Sequence, residues 1–430
     1  MNPAASPATR VRRDLVVVGS GMAAARLVET LRRRGDRRSI VLLGAERSLP
    51  YNRIMLSPLL AGEADWQQLI TRPAEWYEQH AVELRLGAAV VAVDRAQKIV
   101  RCADGVDLQY RELVFATGSR AALPPLPGID LPGVMAFRDF DDVTALQHAS
   151  SQGGDAVVLG GGLLGLEAAV ALAARGMRVT LVHRSSQLMN RQLDGLAASY
   201  LQRAIEKRGV TIRTGIAPAK IIGSVVNGER APSAVELANG EQIAAQLVVV
   251  ATGIQPVTEL AQQAGLAVNH GIVVDACMRT SDDAMYAIGE CNELDGETVG
   301  LVAPIWQQVD VLAANLCGEV KEFQQQPYVT MLKVSGIDVH VMGDLDHTAD
   351  TRVLTYQDRG HGIYKKLVLR NRPSCQSTRS ITTVAGALLF GDVADSQLFF
   401  NLIQRQSDVG ANYCRLLLAG EHPTELLATA

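Results

Sequence analysis

The stretch LVVVGSGMAAARLVETL (residues 15–31) decides the fold. Its apolar, β-branched opening reads as a buried strand ending at Val18, and Met22 to Arg33 carry helical periodicity. Between them Gly19 and Gly21, with Ala24 beyond, match the pattern G-x-G-x-x-G/A. The first glycine gives the turn its φ freedom and the second lets backbone approach a pyrophosphate. A small third residue lets the helix pack on the strand. The helix N-terminus then offers N–H groups and the positive end of its dipole to phosphates. The same order returns in AVVLGGGLLGLEAAVALAARG (156–176), where Gly160, Gly162 and Gly165 form an unbroken G-x-G-x-x-G. One chain thus carries two candidate nucleotide cradles.

The strand after each turn refines the reading. The first ends LLGAE, which puts Glu46 where a ribose hydroxyl needs an acceptor; the alternative is a solvated loop charge. The second ends VTLVHRSS, with His183 and Arg184 where an unphosphorylated ribose favours an acid. Neither repels a 2′-phosphate, and Arg184 is either its partner or a surface charge, so NADH and NADPH both stay open. Further strands are expected at 40–43, 90–93, 113–115, 157–159, 179–182 and 247–250, and helices at 22–33 and 163–175. This alternation implies an α/β fold with parallel sheets and crossover helices. LVFATGSR (113–120), LVVVATGIQP (247–256) and MYAIGECNE (285–293) are strands ending in small-residue turns. Two of these, Ala116-Thr117-Gly118 and the A-T-G ending in Gly253, mark crossings between domains.

At 430 residues more than one core is expected, and 48% hydrophobic with 20% charged residues fits a globular protein. A net charge of −4 argues against a nucleic-acid partner. The most apolar stretch, 156–174, holds three consecutive glycines and Glu167, so it reads as strand–turn–helix and not as a membrane span. Residues 1–13 lack an apolar targeting core and read as a flexible leader. Six cysteines without a C-x-x-C pair favour neither a disulfide scaffold nor a metal cluster, and a cytoplasmic setting follows as the default.

The proline-rich LPPLPGIDLPG (123–133) is a candidate linker. The expected plan is a first nucleotide domain from 14–122 and 251–320, a second from 123–250, and a C-terminal α+β domain from 321–430. That last domain should hold antiparallel strands followed by a helix over SQLFFNLIQRQSDVGANYCRLLLAG (396–420). Around Arg372–Thr383 about ten residues interrupt what should be a short hairpin, as a surface insertion or a docking loop. The basic run LRRRGDRRS (31–39) is an ordinary helix end or a face for an acidic partner.

This ordered set resembles the two-dinucleotide-binding-domain flavoproteins, which include glutathione reductase, ferredoxin reductases and NADH oxidases. The resemblance implies two Rossmann-like domains of the glutathione-reductase-like FAD/NAD(P) fold plus the C-terminal α+β domain. FAD would occupy the first cradle and NADH or NADPH the second. For FAD it implies Gly19, Gly21, Ala24, Glu46, Arg53, Ala116, Thr117 and Gly118, with Val90 meeting adenine through its backbone. Glu290, after Gly289, would bond the ribityl chain, and a helix opening near Pro304 and running through Leu316 would point its N-terminus at the flavin. For NAD(P)H it implies Gly160, Gly162, Gly165, His183, Arg184 and Gly253, with Glu167 in the first turn of its helix and near the nicotinamide.

YNRIMLSPLLAGE (51–63), LMNRQLD (188–194), GIVVDACMRTSD (271–282) and GLVAPIWQQ (300–308) resemble a narrower group. These are the flavin-containing part of assimilatory NAD(P)H-nitrite reductase large subunits and the reductase subunit of assimilatory nitrate reductase. The cysteine pair of glutathione-reductase relatives is absent, and Pro58 follows Leu56–Ser57 where relatives place a reactive cysteine or a lysine. The chain ends at Ala430 without iron–sulfur or sirohaem cysteines, so unaided nitrite reduction is not expected. The expected function is hydride transfer from NAD(P)H to FAD. Electrons then pass to a separate redox partner protein carrying an Fe-S, haem or molybdenum centre. No metal of its own and no membrane partner is expected, and a homodimer is allowed. The alternatives are a rubredoxin or ferredoxin reductase, an NAD(P)H oxidase, and a non-catalytic nucleotide sensor.

Overall fold

The computed structural model describes residues 11–226, 228–324, 329–334, 336–373, 380–410 and 416–417. They fall into two compact units. One comprises residues 11–122, then Arg138–Asp141, then residues 254–324; the other comprises Leu123–Phe137, Asp142–Gly253 and the C-terminal sheet.

In the first unit β1 (Val11–Val18) lies parallel between β2 (Ile40–Leu43) and β6 (Asp107–Phe115). Strand β3 (Val82–Arg85) extends the sheet beyond β2, and Met285–Ala287 pairs with β6. On β6's other flank β5 (Ile99–Cys102) and β4 (Val90–Asp94) add an antiparallel pair. Leu15, Val16 and Val17 are fully buried although successive side chains point to opposite faces, so both faces of β1 are covered; hence the unbroken apolar run. Helix α1 (Met22–Arg33) buries Ala24, Leu27, Val28 and Leu31, and packs beside the Val302–Leu316 helix, where Arg26 lies over the Trp306 ring at 5.7 Å.

One expectation changes here. Residues 11–13, read as leader, are sheet: Val11, Arg12 and Arg13 pair with Leu108, Gln109 and Tyr110, because Val11 packs on the apolar core. Residues 1–10 lie outside the described part. Much of the basic run at 31–39 is engaged internally, as an ordinary helix end would be, while Arg37 is exposed. Arg34 pairs with Glu319 at 2.8 Å, Arg38 pairs with Glu112 and donates to the Leu316 carbonyl, and Arg32 donates to the carbonyls of His80 and Asp36.

The second unit contains a parallel sheet of β7 (Val134–Ala136), β8 (Asp155–Leu159), β9 (Arg178–His183), β10 (Val210–Thr214) and β11 (Leu247–Val250), in the order β10-β9-β8-β11-β7. Helices α2 (Leu163–Ala174) and α3 (Gly195–Glu206) belong to it. The proline-rich stretch packs against an antiparallel sheet that includes Pro218–Val226. Leu126 and Leu131 are buried beside Ile221, and a Cβ on Gly128 would sit 2.3 Å from the Ile221 carbonyl oxygen.

The C-terminal strands β12 (Val329–Val334), β13 (Ile337–Gly343), β14 (Thr351–Asp358), β15 (Ile363–Pro373) and β16 (Ser380–Phe390) form one antiparallel sheet, ordered β12-β13-β16-β15-β14. The extra residues near Arg372–Thr383 largely lengthen a hairpin: Asn371, Arg372 and Pro373 pair with Thr382, Ile381 and Ser380. Residues 374–379 lie outside the described part. The helix expected over 396–420 is Ser396–Arg405; residues 411–415 and 418–420 lie outside the described part. It stops because Gln406 turns left-handed (φ +50) and the chain bonds back to the sheet, Val409 N–H donating to the Thr382 carbonyl. Among the described residues no helix is long and apolar enough to cross a membrane.

Candidate functional site

The two glycine turns share one hydrogen-bond skeleton. Gly19 N–H donates to Leu43 O (2.8 Å), Ala116 N–H to Val18 O (2.8 Å) and Ala25 N–H to Gly21 O (3.0 Å). Their counterparts are Gly160 to Val182 (2.9 Å), Ala251 to Leu159 (2.8 Å) and Leu166 to Gly162 (3.0 Å). Gly19 has φ +116, and a Cβ there would lie 2.1 Å from the Ala116 oxygen; Gly160 has φ +123, with 2.2 Å to the Ala251 oxygen. Gly165 lets α2 close on the turn, since its Cβ would meet the Gly160 oxygen at 2.0 Å.

Gly21 and Gly162 differ from these. A Cβ on either meets nothing within 4 Å, and neither helix behind them has a side-chain cap. These glycines border open space, and uncapped N–H groups stand at the helix starts. That combination fits the pyrophosphate of a dinucleotide. Gly118 (φ +66) and Gly253 (φ +143) also have open space where a side chain would be.

One exchange separates the turns. By their shared register Ser20 corresponds to Gly161, and Gly44 to His183. A Cβ on Gly44 would sit 2.2 Å from Ser20 Oγ, and a Cβ on Gly161 would sit 2.7 Å from the His183 ring. A side chain fills the gap from opposite sides in the two turns. Gly161 N–H donates to His183 Nδ1 at 3.0 Å, so the neutral ring carries its proton on Nε2. Nε2 is buried and has no hydrogen-bond partner among the described residues. Burial lowers the His183 pKa below the usual imidazole value. Arg184 is exposed.

The acids expected to face FAD each have an arginine beside them. Glu46 accepts from Tyr51 Oη at 2.8 Å and pairs with Arg53. Arg53 donates to the Arg138 carbonyl at 2.9 Å, and Phe140 N–H donates to Tyr51 Oη at 3.1 Å. Glu290 accepts from Ser119 Oγ at 2.9 Å and pairs with Arg138. Gly289 (φ +87) places this turn against α1, its absent Cβ 3.2 Å from that of Ala23. A buried amide pair fixes the turn. Gln308 accepts from Gly289 N–H at 2.9 Å and exchanges two 3.2 Å bonds with Asn292, which also donates to the Ala287 carbonyl at 3.0 Å. Thr117 Oγ1 donates to the Val257 carbonyl at 2.6 Å. Sequence reasoning missed Ser119, Arg138 and Gln308. Arg138 in FRDF has no local pattern, though its segment's return to the first unit marks it.

Pro304 lies in the first turn of the Val302–Leu316 helix, whose N-terminus has no side-chain cap. Val90 opens β4 opposite Cys102 and is partly buried. Glu167 needs a correction. Helix α2 starts at Leu163, directly after Gly162, so Glu167 stands in the second turn and the first turn holds no acid. The Cys291 thiol, near Glu290 in sequence, is fully buried and bonded to carbonyls, and burial raises its pKa.

The profile of the family described as Pyridine nucleotide-disulphide oxidoreductase matches residues 13–311, and that of the Rubredoxin NAD+ reductase C-terminal domain matches residues 329–407. The chain is 39% identical over 402 residues to Nitrite reductase [NAD(P)H] of Bacillus subtilis (strain 168), covering 93% of this chain and 48% of that protein. It is 36% identical over 400 residues to the Assimilatory nitrate reductase electron transfer subunit of the same organism, covering 93% and 50%. It therefore spans about half the length of these two curated relatives. A solved putidaredoxin reductase, in covalent complex with putidaredoxin, superposes with TM-score 0.83 at 25% identity, covering 97% of this chain and 99% of that one. With paired glycine turns and a family profile over most of its length, this chain belongs to the pyridine nucleotide-disulphide oxidoreductase family.

Proposed function

We propose that this chain draws electrons from NADH or NADPH and delivers them to a separate redox protein that serves assimilatory nitrate or nitrite reduction. The acceptor would carry an iron–sulfur, haem or molybdenum centre. The cofactors are FAD and NAD(P)H, as in the family. The observation that carries the proposal is the repeated turn: Gly19 and Gly160 are forced by contact, while Gly21 and Gly162 border open space before uncapped helices.

The first turn, with Gly19, Gly21 and Ala24, would hold the FAD pyrophosphate. Glu46, paired with Arg53, would accept from a ribose hydroxyl, and Val90 would meet adenine. Ala116, Thr117 and Gly118 would line the cofactor's path, and Glu290 would accept from the ribityl chain while Arg138 and Ser119 orient it. The uncapped helix start near Pro304 would supply positive potential for the flavin ring. Gly160, Gly162, Gly165 and Gly253 would cradle NAD(P)H, Glu167 would lie near the nicotinamide, and His183 and Arg184 would face the ribose. When bound, FAD supplies acceptance of two electrons together and their release singly.

The acceptor class rests on the names of the Bacillus subtilis relatives. A second reading, reduction of a redox protein akin to putidaredoxin or of a ferredoxin, rests on the likeness to putidaredoxin reductase and on relatives named as ferredoxin reductases. The protein is taken as cytoplasmic, in keeping with the free thiols of Cys102, Cys277, Cys291 and Cys317, and a homodimer is testable by light scattering.

Anaerobic titration of the purified chain tests the reading. The wild type should be yellow and should bleach with NADH or NADPH. Gly162→Glu should keep FAD and bleach with dithionite but no longer with nicotinamide, and Gly21→Glu should emerge without flavin. A colourless wild type, or a Gly162→Glu variant reduced as readily as wild type, defeats the proposal. Mixing the reduced protein with ferredoxin or with a nitrate reductase catalytic subunit separates the two acceptors.

A further inference from the structure

Residues 184–194 join β9 to α3, and both ends of this segment are tied within the second unit. On the side toward β9, Met189 at the segment's middle donates its N–H to the Gly161 carbonyl at 3.0 Å, while Gly161 N–H is held by His183. Leu188, fully buried, would stand 2.9 Å from a Cβ on Gly161. The middle glycine of the second turn is thus fixed at its N–H, at its carbonyl and on its side-chain face.

Between the ends the segment is closed into a compact turn. Met189 adopts φ +50, and its carbonyl accepts from Gln192 N–H (2.8 Å) and Leu193 N–H (2.9 Å). Gln187 Nε2 donates to the Leu193 carbonyl at 3.0 Å. At the far end Asp194 uses its two oxygens differently. Oδ1 accepts Ala197 N–H at 3.0 Å and caps α3. Oδ2 accepts the Tyr364 hydroxyl at 2.8 Å and pairs with Lys366 at 3.4 Å, both from β15. Tyr364 is 1% exposed, and its ring stacks on Tyr200 of α3 at 6.2 Å and 10°.

We infer that Asp194, gripped by Tyr364 and Lys366, is a positioning group for the second nucleotide turn, so that the C-terminal sheet tunes nicotinamide binding through the Asp194–Met189–Gly161 connection. Capping α3 needs only one carboxylate oxygen; the other ties the helix start, and the turn before it, to β15. Loosening that tie frees Met189 and with it the Gly161 carbonyl, which disorders the turn before any nucleotide arrives and makes binding pay the ordering cost. The inference rests on the reading that this turn holds NAD(P)H.

The test uses the full-length FAD-loaded protein and the variants Tyr364→Phe, Asp194→Asn and Asp194→Ala. Tyr364→Phe should raise KM and Kd for the nicotinamide about fivefold or more, with kcat at saturation and FAD content kept. Asp194→Asn keeps one acceptor oxygen, enough for the α3 cap, but puts an NH2 donor opposite the Tyr364 hydroxyl and removes the charge facing Lys366, so it should fall between wild type and Asp194→Ala. A purely structural bond would lower the melting temperature and leave KM of the folded protein unmoved, and that result overturns the inference. If Tyr364→Phe does not fold, Lys366→Met decides by the same KM and Kd measurement. A wild type that binds neither NADH nor NADPH defeats the underlying reading instead, which separates the two failures.

Discussion

At the scale of single residues, the surroundings of His183 favour its neutral form. Its Nδ1 accepts Gly161 N–H, so a second ring proton would set two donors face to face, and burial already lowers its pKa. The unfolded chain takes up that proton near the ordinary value of about 6.5 while the folded chain resists it. The unfolded state then binds more protons, so His183 stabilises fully above about pH 6.5 and less as pH falls toward the depressed folded value. The urea midpoint of the second unit should therefore drop between about pH 7 and pH 5.5, and drop less in His183→Gln. Equal slopes for the two proteins would refute this. The outer glycines of the triplet were legible in the sequence because turn chemistry is local. The need for Gly161 was not, because the ring that excludes a side chain there comes from the end of the next strand. Arg138 was hidden for the same reason: its carboxylate partner, Glu290, is remote in sequence.

At the scale of elements, the Gln308–Asn292 pair joins the Val302–Leu316 helix to the Gly289–Cys291 turn that carries Glu290. Gln308→Leu would strand the Gly289 N–H and half of the Asn292 amide in a fully buried place. Each orphaned group costs about 1–3 kcal/mol. Denaturant unfolding should show a loss of at least about 2 kcal/mol in the first unit, with faster FAD release; a neutral result would mean the amides find other partners. The helix itself was readable from Pro304 and the apolar residues after it. Gln308 was not, because a polar side chain at a core position reads as surface until its partner is seen. Helix ends were the weaker part of the reading. Glu167 slipped past the first turn because α2 begins immediately behind Gly162, and the final helix ends at Gln406, which adopts a left-handed φ without being glycine.

At the scale of the whole molecule, the first unit has its apolar core around β1 and α1, and the second has one around β8 and β11 and another on the C-terminal sheet. A ligand present at a hundred times its Kd adds about 2.7 kcal/mol to the state that binds it. Calorimetry should therefore show FAD raising one transition and a nicotinamide raising another; a single transition moved equally by both would show that the units melt as one. The α/β class and the doubled cradle were legible, since both follow from strand–turn–helix order. The return of Arg138–Asp141 to the first unit was not, because four residues have no periodicity to read. That return has a consequence for recombination. The chain leaves the first unit after Ala122, re-enters at Arg138, leaves after Asp141 and comes back at Ile254. A gene segment swapped at the outer two junctions exports the Glu290 guanidinium partner along with the donor's nucleotide domain. Shuffled hybrids should then inherit flavin affinity from both parents, and only crossovers that transplant residues 138–141 together with their host will breed true.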